Sequence, residues 1–338
     1  MRLFIGDAGA WLRALFPQGP AGDFLSIVAV ATAIFGAGAL FAIFGGYVER
    51  KVIARVHSRV GPQYTGPAGS LQTIADAVKF LRKEVLFPEG SDRVLYRIAP
   101  LIMFLAPFAA FAVIPFGSLA VSDSPVSLVI ALALLGFTPL AIVVAAWASN
   151  SKYSTLGGLR AAGMMMSYEV VLVLSAASVA LSAGSLRITD IASYQAEHGI
   201  FLLTQPLAAV LFLIALVASV ERNPFDLLEA ESELVGGWRT EYGGVWFSIT
   251  LLAEYLKLLA AVFLFVHLFA GGSRTAFGDV SFLIVAAVVT LLMFVIRATA
   301  MRLRMDQILD HVWTRLVPLA IVNAAATIGL VVWLGGGA

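Results

Sequence analysis

Residues 124–151 read SPVSLVIALALLGFTPLAIVVAAWASNS, an apolar run without a single charged side chain. At 1.5 Å of rise per residue, about 20 helical residues cross the roughly 30 Å hydrocarbon core of a bilayer. The run has no period-two alternation, so a barrel strand is excluded, and a helix is then the only way to satisfy its backbone in lipid. Working outward, comparable runs recur, and the sequence predicts eight spans near residues 24–48, 94–118, 125–149, 161–184, 200–220, 246–270, 279–298 and 312–334. Two of them carry ionisable groups, Glu169 in the fourth and Glu254, Lys257 and His267 in the sixth. The expected fold class is an all-α integral membrane protein forming a single membrane domain. Composition agrees, since 60% of the 338 residues are apolar and only 13% are charged.

Most of the Lys and Arg residues fall in the first, third, fifth and seventh loops, including Arg50, Lys51, Arg55, Arg59, Arg160, Arg222, Arg239, Arg297 and Arg302. By the positive-inside rule those loops face the cytoplasm and both termini lie outside. The first long apolar run reads as a retained span rather than a cleaved signal peptide. Within the first loop, residues 70–85 put Leu71, Ile74, Val78, Leu81 and Val85 on one helical face and Gln72, Asp76, Lys79 and Lys83 on another. That pattern predicts an amphipathic helix along the cytoplasmic interface, framed by long polar loops.

Composition also excludes several functions. A net charge of +1 with scattered basic residues offers no patch for nucleic acid. The absence of cysteine removes disulfides, iron–sulfur ligation and thiolate zinc sites, and four separated histidines make a poor haem or metal site. Any electrons involved are carried by a partner.

Against this apolar background, residues 221–242, ERNPFDLLEAESELVGGWRTEY, concentrate Glu221, Asp226, Glu229, Glu231, Glu233 and Glu241 beside Arg222 and Arg239. Carboxylates this close repel unless some hold protons, pair with a cation or reach water. In a helix Glu229 and Glu233 would share a face and Glu231 would point away. Glu254 and Lys257, spaced i, i+3 inside a span, are expected to share a face and to pair. Such groups handle protons or charge, or form a solvated acidic loop against a basic partner and a structural ion pair.

Four blocks of sequence go further. Glu49-Arg50-Lys51 is followed by Arg59-Val60-Gly61-Pro62, Gly66-Pro67, Leu71-Gln72, Ala75-Asp76, Lys83-Glu84 and Pro88. SNSKYSTLGGLRAA at 149–162 leads to SYEV at 167–170. The acidic stretch continues to Ala253-Glu254-Tyr255, and Arg297-Ala298-Thr299 runs through Arg302, Arg304, Asp306 and Gln307 to Pro318. In this order, and at loops expected on one side, the blocks resemble the H subunit of respiratory complex I, whose mitochondrial counterpart is NADH dehydrogenase subunit one. The resemblance covers nearly the whole chain. His57, Met164 to Met166 and Ala300-Met301 depart from the family pattern, and none of these removes a carboxylate.

The resemblance implies a subunit of a proton-translocating NADH:quinone oxidoreductase in the cell membrane, with quinone as substrate and no redox centre or bound cofactor of its own. It implies a quinone chamber and entrance at Glu49, Arg50, Arg59, Asp76, Glu221 and Arg239. It also implies a proton relay through Glu169, Glu229, Glu231, Glu233, Glu241, Glu254 and Lys257. The implied partners are antiporter-like and other membrane-arm subunits, the iron–sulfur and quinone-site subunits of a hydrophilic arm, and lipid. Three alternatives stand beside it: the corresponding subunit of a membrane-bound hydrogenase or ferredoxin-linked complex, a stand-alone secondary transporter, and a structural anchor. A transporter commonly shows internal repeats and matched broken spans, and neither is evident in the sequence.

Overall fold

A computed structural model describes residues 20–228, 231–274 and 278–333. The described residues form helices and turns, with one isolated bridge between Phe116 and Leu119 and no sheet. In chain order the main helices are α1 Pro20–Val56, α2 Gln72–Arg82, α3 Arg93–Ala110, α4 Ser127–Ala148 and α5 Lys152–Ala183. They continue as α6 Ile188–His198, α7 Pro206–Ser219, α8 Gly244–Phe269, α9 Gly278–Thr299 and α10 Met305–Trp333, the last with a π-helical turn at Val312–Leu316.

Seven of the described helices, α1, α3, α4, α5, α8, α9 and α10, are long and apolar enough to cross a membrane. The stretch expected as an eighth span, 200–220, is divided. Phe201–Thr204 forms one turn, Gln205 leaves helical geometry ahead of Pro206, and α7 follows with 14 residues. A residue before proline is pushed out of the α region, which explains the break. At about 21 Å, α7 is shorter than the hydrocarbon core.

Side chains that are apolar on every face bury a helix on every side. α8 shows this, since Leu256 to Phe269 lie in the core without interruption. It packs against α3, α1, α9 and α2. α5 joins α4, α7 and α10 on the other flank. The Asp92 carboxylate caps α3 by accepting from the backbone N–H groups of Val94 and Leu95 at 2.9 and 3.2 Å. α2 has no buried residue, and its Ile74, Val78 and Leu81 are exposed. Phe80 packs on Phe247 at 5.0 Å between ring centroids and ties α2 to the start of α8.

The chain between α7 and α8 does not float above the helices. Leu227, Leu228, Leu234, Trp238, Arg239 and Tyr242 are all buried. Glu221, just past α7, reaches Lys257 at the middle of α8. The shortness of α7 leaves room for the acidic segment to begin inside the bundle, level with the middle of α8. Irregular backbone is tolerated at that depth because protein, not lipid, surrounds it.

Candidate functional site

The four sequence blocks meet at one end of the bundle. Gly157 on α5 is bare because a Cβ there would come within 2.6 Å of the Trp238 backbone nitrogen. Beside it the Ser154 hydroxyl donates to the Trp238 carbonyl at 2.9 Å, so the Leu-Gly-Gly block is the seat of the acidic segment. Asn223 donates to the carbonyl of Ala300 at 2.9 Å, and the Leu303 N–H donates to the carbonyl of Pro224 at 3.2 Å. Those bonds clamp the segment to the end of α9. His57, at the end of α1, lies 3.0 Å from the Ala298 carbonyl. Burial, with the Tyr96 ring beside it, pushes the Tyr242 phenol above its ordinary range. Tyr242 stacks on that ring at 4.2 Å.

Within this frame, carboxylates and cations alternate in an ion chain. Arg297 on α9 pairs with Glu49 on α1, and Arg222 stands 3.6 Å from the same carboxylate. Arg222 also reaches Glu254 at 3.8 Å, and Glu254 pairs in turn with Arg239. The Tyr255 hydroxyl donates to Glu49 at 2.7 Å. Glu49 is 2% exposed, Glu254 8% and Arg239 7%, so water screens these charges little. An isolated buried charge would be prohibitive, whereas one paired on two sides is tolerated.

Deeper in the bundle, Lys257 meets Glu221 at 3.4 Å. Lys257 and Glu169 then line a cavity of about 400 Å³ between α4, α5, α7 and α8, otherwise walled by side chains such as Leu135, Leu172 and Phe212. The Glu169 carboxylate lies against α4 at Gly136, where a side chain would displace it. Ion pairs thus extend inward from the end of α1, and the Glu221–Lys257 pair borders the largely apolar cavity that Glu169 also lines. The space between Glu221, Arg222, Glu254 and Arg297 is about 10 Å³, room for at most a water molecule.

The described site residues fall into a buried network, an outer group on and beside α1 and α2, and two residues of the acidic segment with partners of their own. Glu49, Glu221, Arg239, Glu254 and Lys257 belong to the buried network, with Glu169 across the cavity from Lys257. Arg50, Arg59 and Asp76 lie outside it: Arg50 pairs with Asp76 at 2.6 Å, and Arg59 is exposed beside Lys51 and Arg55 around a second hollow. Glu233 pairs with Arg160 at 2.7 Å, and the Glu241 backbone carbonyl accepts from the Tyr96 hydroxyl at 2.7 Å. Glu229 lies outside the described residues, as does the side chain of Glu231. The expected Glu254–Lys257 pair is corrected. Both face inward, but the folded acidic segment offers each a partner of its own, Arg239 and Arg222 for Glu254 and Glu221 for Lys257. Arg222, Arg297 and Tyr255 are absent from the expected site residues and present in the network, and each stands in one of the four blocks.

The fold and the site define an all-helical, multi-span membrane protein with its sequence motifs gathered around a buried ion chain. Its relatives give the family. The NADH dehydrogenase family pattern matches residues 28–328. The NADH-quinone oxidoreductase H subunit of Geobacillus kaustophilus is 43% identical over 314 residues, 88% of this chain and 94% of that protein. The Brevibacillus brevis protein of the same description is 38% identical over 96% of this chain and 99% of its own length. The H subunit of Syntrophobacter fumaroxidans that carries the number 2 is 39% identical over 92% and 98%. The chain belongs to the NADH dehydrogenase family, with the H subunits of NADH-quinone oxidoreductase. It is a multi-pass membrane subunit of a complex I-type oxidoreductase, and that reading displaces the stand-alone transporter.

Proposed function

We propose that this subunit forms one wall of a quinone chamber at the junction with a hydrophilic arm and converts the charge change of quinone reduction into proton movement. The observation that carries the reading is the unbroken order Arg297, Glu49, Arg222, Glu254, Arg239, continued by the Glu221–Lys257 pair and the cavity holding Glu169. A negative charge appearing near one end of such a chain changes the proton affinity of each carboxylate along it. Quinone substrate reaches the chamber past α1 and α2, where Arg50, Arg59 and Asp76 supply polar contacts among exposed apolar side chains. The head group sits against the outer side of the ion chain, since the interior of the chain holds no larger space than a water molecule fills. Glu229, Glu231, Glu233 and Glu241 extend the relay toward the acidic segment's outer surface. The chain crosses the membrane eight times, α7 serving as a shortened span, with the charged end in the cytoplasm and both termini outside. Iron–sulfur and quinone-site subunits cover the charged end, and antiporter-like subunits receive the signal through the membrane.

The test is Glu169→Gln and Lys257→Met in the assembled, vesicle-embedded complex. Each is expected to lower quinone-linked proton translocation by about ten-fold or more. Electron delivery to an artificial acceptor upstream of quinone should stay near the parent rate. Full translocation in both variants would sink the relay.

A further inference from the structure

At the end of the bundle away from the ion chain, a second cavity of about 300 Å³ lies between the last turn of α5, α6, the start of α7 and α10. Ser182, His198, Thr204, Gln205, Asn323 and Thr327 are set in its otherwise largely apolar wall. Two buried atoms of this set have no hydrogen-bond partner among the described residues, the acceptor Oε1 of Gln205 and the donor Nδ2 of Asn323. Leaving both unsatisfied is costly, and water can serve a donor and an acceptor together.

The depth of the cavity follows from two tryptophans. Trp313 and Trp333 on α10 are 52% and 81% exposed. Exposed tryptophans favour the two membrane interfaces, and 20 helical residues span about 30 Å, the thickness of the hydrocarbon core. Asn323, half-way between them, therefore stands at the membrane midplane. The indole N–H of Trp313 donates to the Ser167 hydroxyl at 3.2 Å, which fixes the register of the parallel helices α5 and α10. In that register Ser178 is level with Asn323, and Ser182 with the turn at Thr327. Ser175 and Ser178 are buried, each donating one turn back to a carbonyl, of Val171 and Leu174, and keeping acceptor capacity. Polar groups thus follow α5 and α10 down from the far face. Between Ser175 and the Glu169–Lys257 cavity stand Leu172 and Phe212, both buried and apolar and both on the cavity wall.

We propose that this cavity is the outward half of a proton path, a water-filled crevice reaching from the face opposite the ion chain to Asn323 at the midplane. The claim rests on Glu169 and Lys257 acting as the relay on the other side of the apolar septum. Two half-paths separated by a dry septum prevent a continuous leak, because a proton crosses only when the septum is wetted or rearranged.

The chain has no cysteine, so single thiols can be placed without background from it. In the assembled complex in oriented vesicles, Thr204→Cys, Asn323→Cys and Thr327→Cys are exposed to a small cationic, membrane-impermeant thiosulfonate and read by mass of this chain's peptides. Leu319→Cys, 43% exposed on α10 and outside the cavity wall, is the control. The cavity positions should label from the far face about ten-fold faster than the control, because a thiol in an apolar, dry setting stays protonated and inert. Labelling of Thr327→Cys and Asn323→Cys no faster than Leu319→Cys would overturn the proposal and mean that a lipid tail or a neighbouring helix fills the space. Should Asn323→Cys fail to assemble, Ala326→Cys, on the same wall, takes its place. The adduct at Thr327→Cys should lower proton translocation at least about three-fold with electron delivery to the artificial acceptor unchanged. Translocation untouched by a full adduct would overturn the proton role. Either failure leaves the Glu169→Gln result standing, so the two readings are tested apart.

Discussion

The pair of Arg297 with the buried Glu49 carboxylate and the pair of Arg50 with Asp76 begin at adjacent residues of one helix, yet they do different work. The Glu49 side chain is 3% exposed, and it is held by two arginines and a tyrosine from separate elements. The Arg50 and Asp76 side chains are 45% and 28% exposed, and Asp76 is otherwise held by Gln72 from its own helix at 3.0 Å. Successive helical residues point about 100° apart, so Glu49 faces the bundle where Arg50 faces the interface. Burial strengthens a charge interaction and also raises the penalty for breaking it, so identical chemistry is worth different amounts on the two sides of α1.

The sharpest way to break this comparison is Glu49→Ala. It would leave Arg222, 12% exposed, and Arg297, 29% exposed, facing each other with no carboxylate between them, and would take the acceptor from the Tyr255 hydroxyl. Removing one partner of a fully buried pair costs about 3–5 kcal/mol, and the loss here is set below that by the partial exposure of Arg297, still a large share of a marginal stability. We expect much less assembled complex and a lower thermal midpoint, and Glu49→Gln, which keeps the acceptor from Tyr255, should recover part of the loss. A midpoint shift as small as that of Arg50→Ala would show that burial is not what separates the two pairs.

Next in size is Gly157→Val. The added side chain meets the Trp238 backbone and must lift the acidic segment from α5, weakening the Ser154 to Trp238 bond. Overpacking of this kind costs about 1–3 kcal/mol. Because Arg239 follows Trp238, the variant should also loosen the Arg239–Glu254 pair. Protease sensitivity within residues 233–242 reads the displacement, and unchanged cleavage would mean that the segment is held by α9 alone.

These effects show where the sequence was readable. The apolar runs were legible because lipid permits one solution for each, and α4 and α9 fall within two residues of the expected bounds. The overshoot of α1 to Val56 and the early start of α5 at Lys152 were not, because a helix continues beyond its apolar run wherever polar residues still favour it. The length of α7 was hidden for a different reason: apolarity sets where a span can lie, while Pro206 and the incoming acidic segment set where the helix starts and stops. The site was legible as residues and not as pairs. Glu49 and Arg297 are 248 positions apart, and no local spacing connects them. The local i, i+3 rule joined Glu254 to Lys257, and tertiary partners overrode it.

The smallest expected effect is also the most discriminating. Arg50→Ala, Asp76→Asn and the double variant form a cycle whose coupling isolates one exposed ion pair. Such pairs are worth less than about 1 kcal/mol and are screened at physiological salt, where the Debye length is about 8 Å. The coupling should therefore shrink when stability is measured at raised ionic strength, whereas the effect of Glu49→Gln should barely move. If Arg50 also contacts the quinone head, as proposed, Arg50→Ala will raise the apparent KM for a short-chain quinone without a matching loss of stability. Asp76→Asn, which keeps Gln72 as a neighbour and removes only the charge, should raise that KM less. Equal effects of the two variants on KM and on stability would reduce Arg50 to a strut between α1 and α2 and move the quinone contact to the inner set of residues.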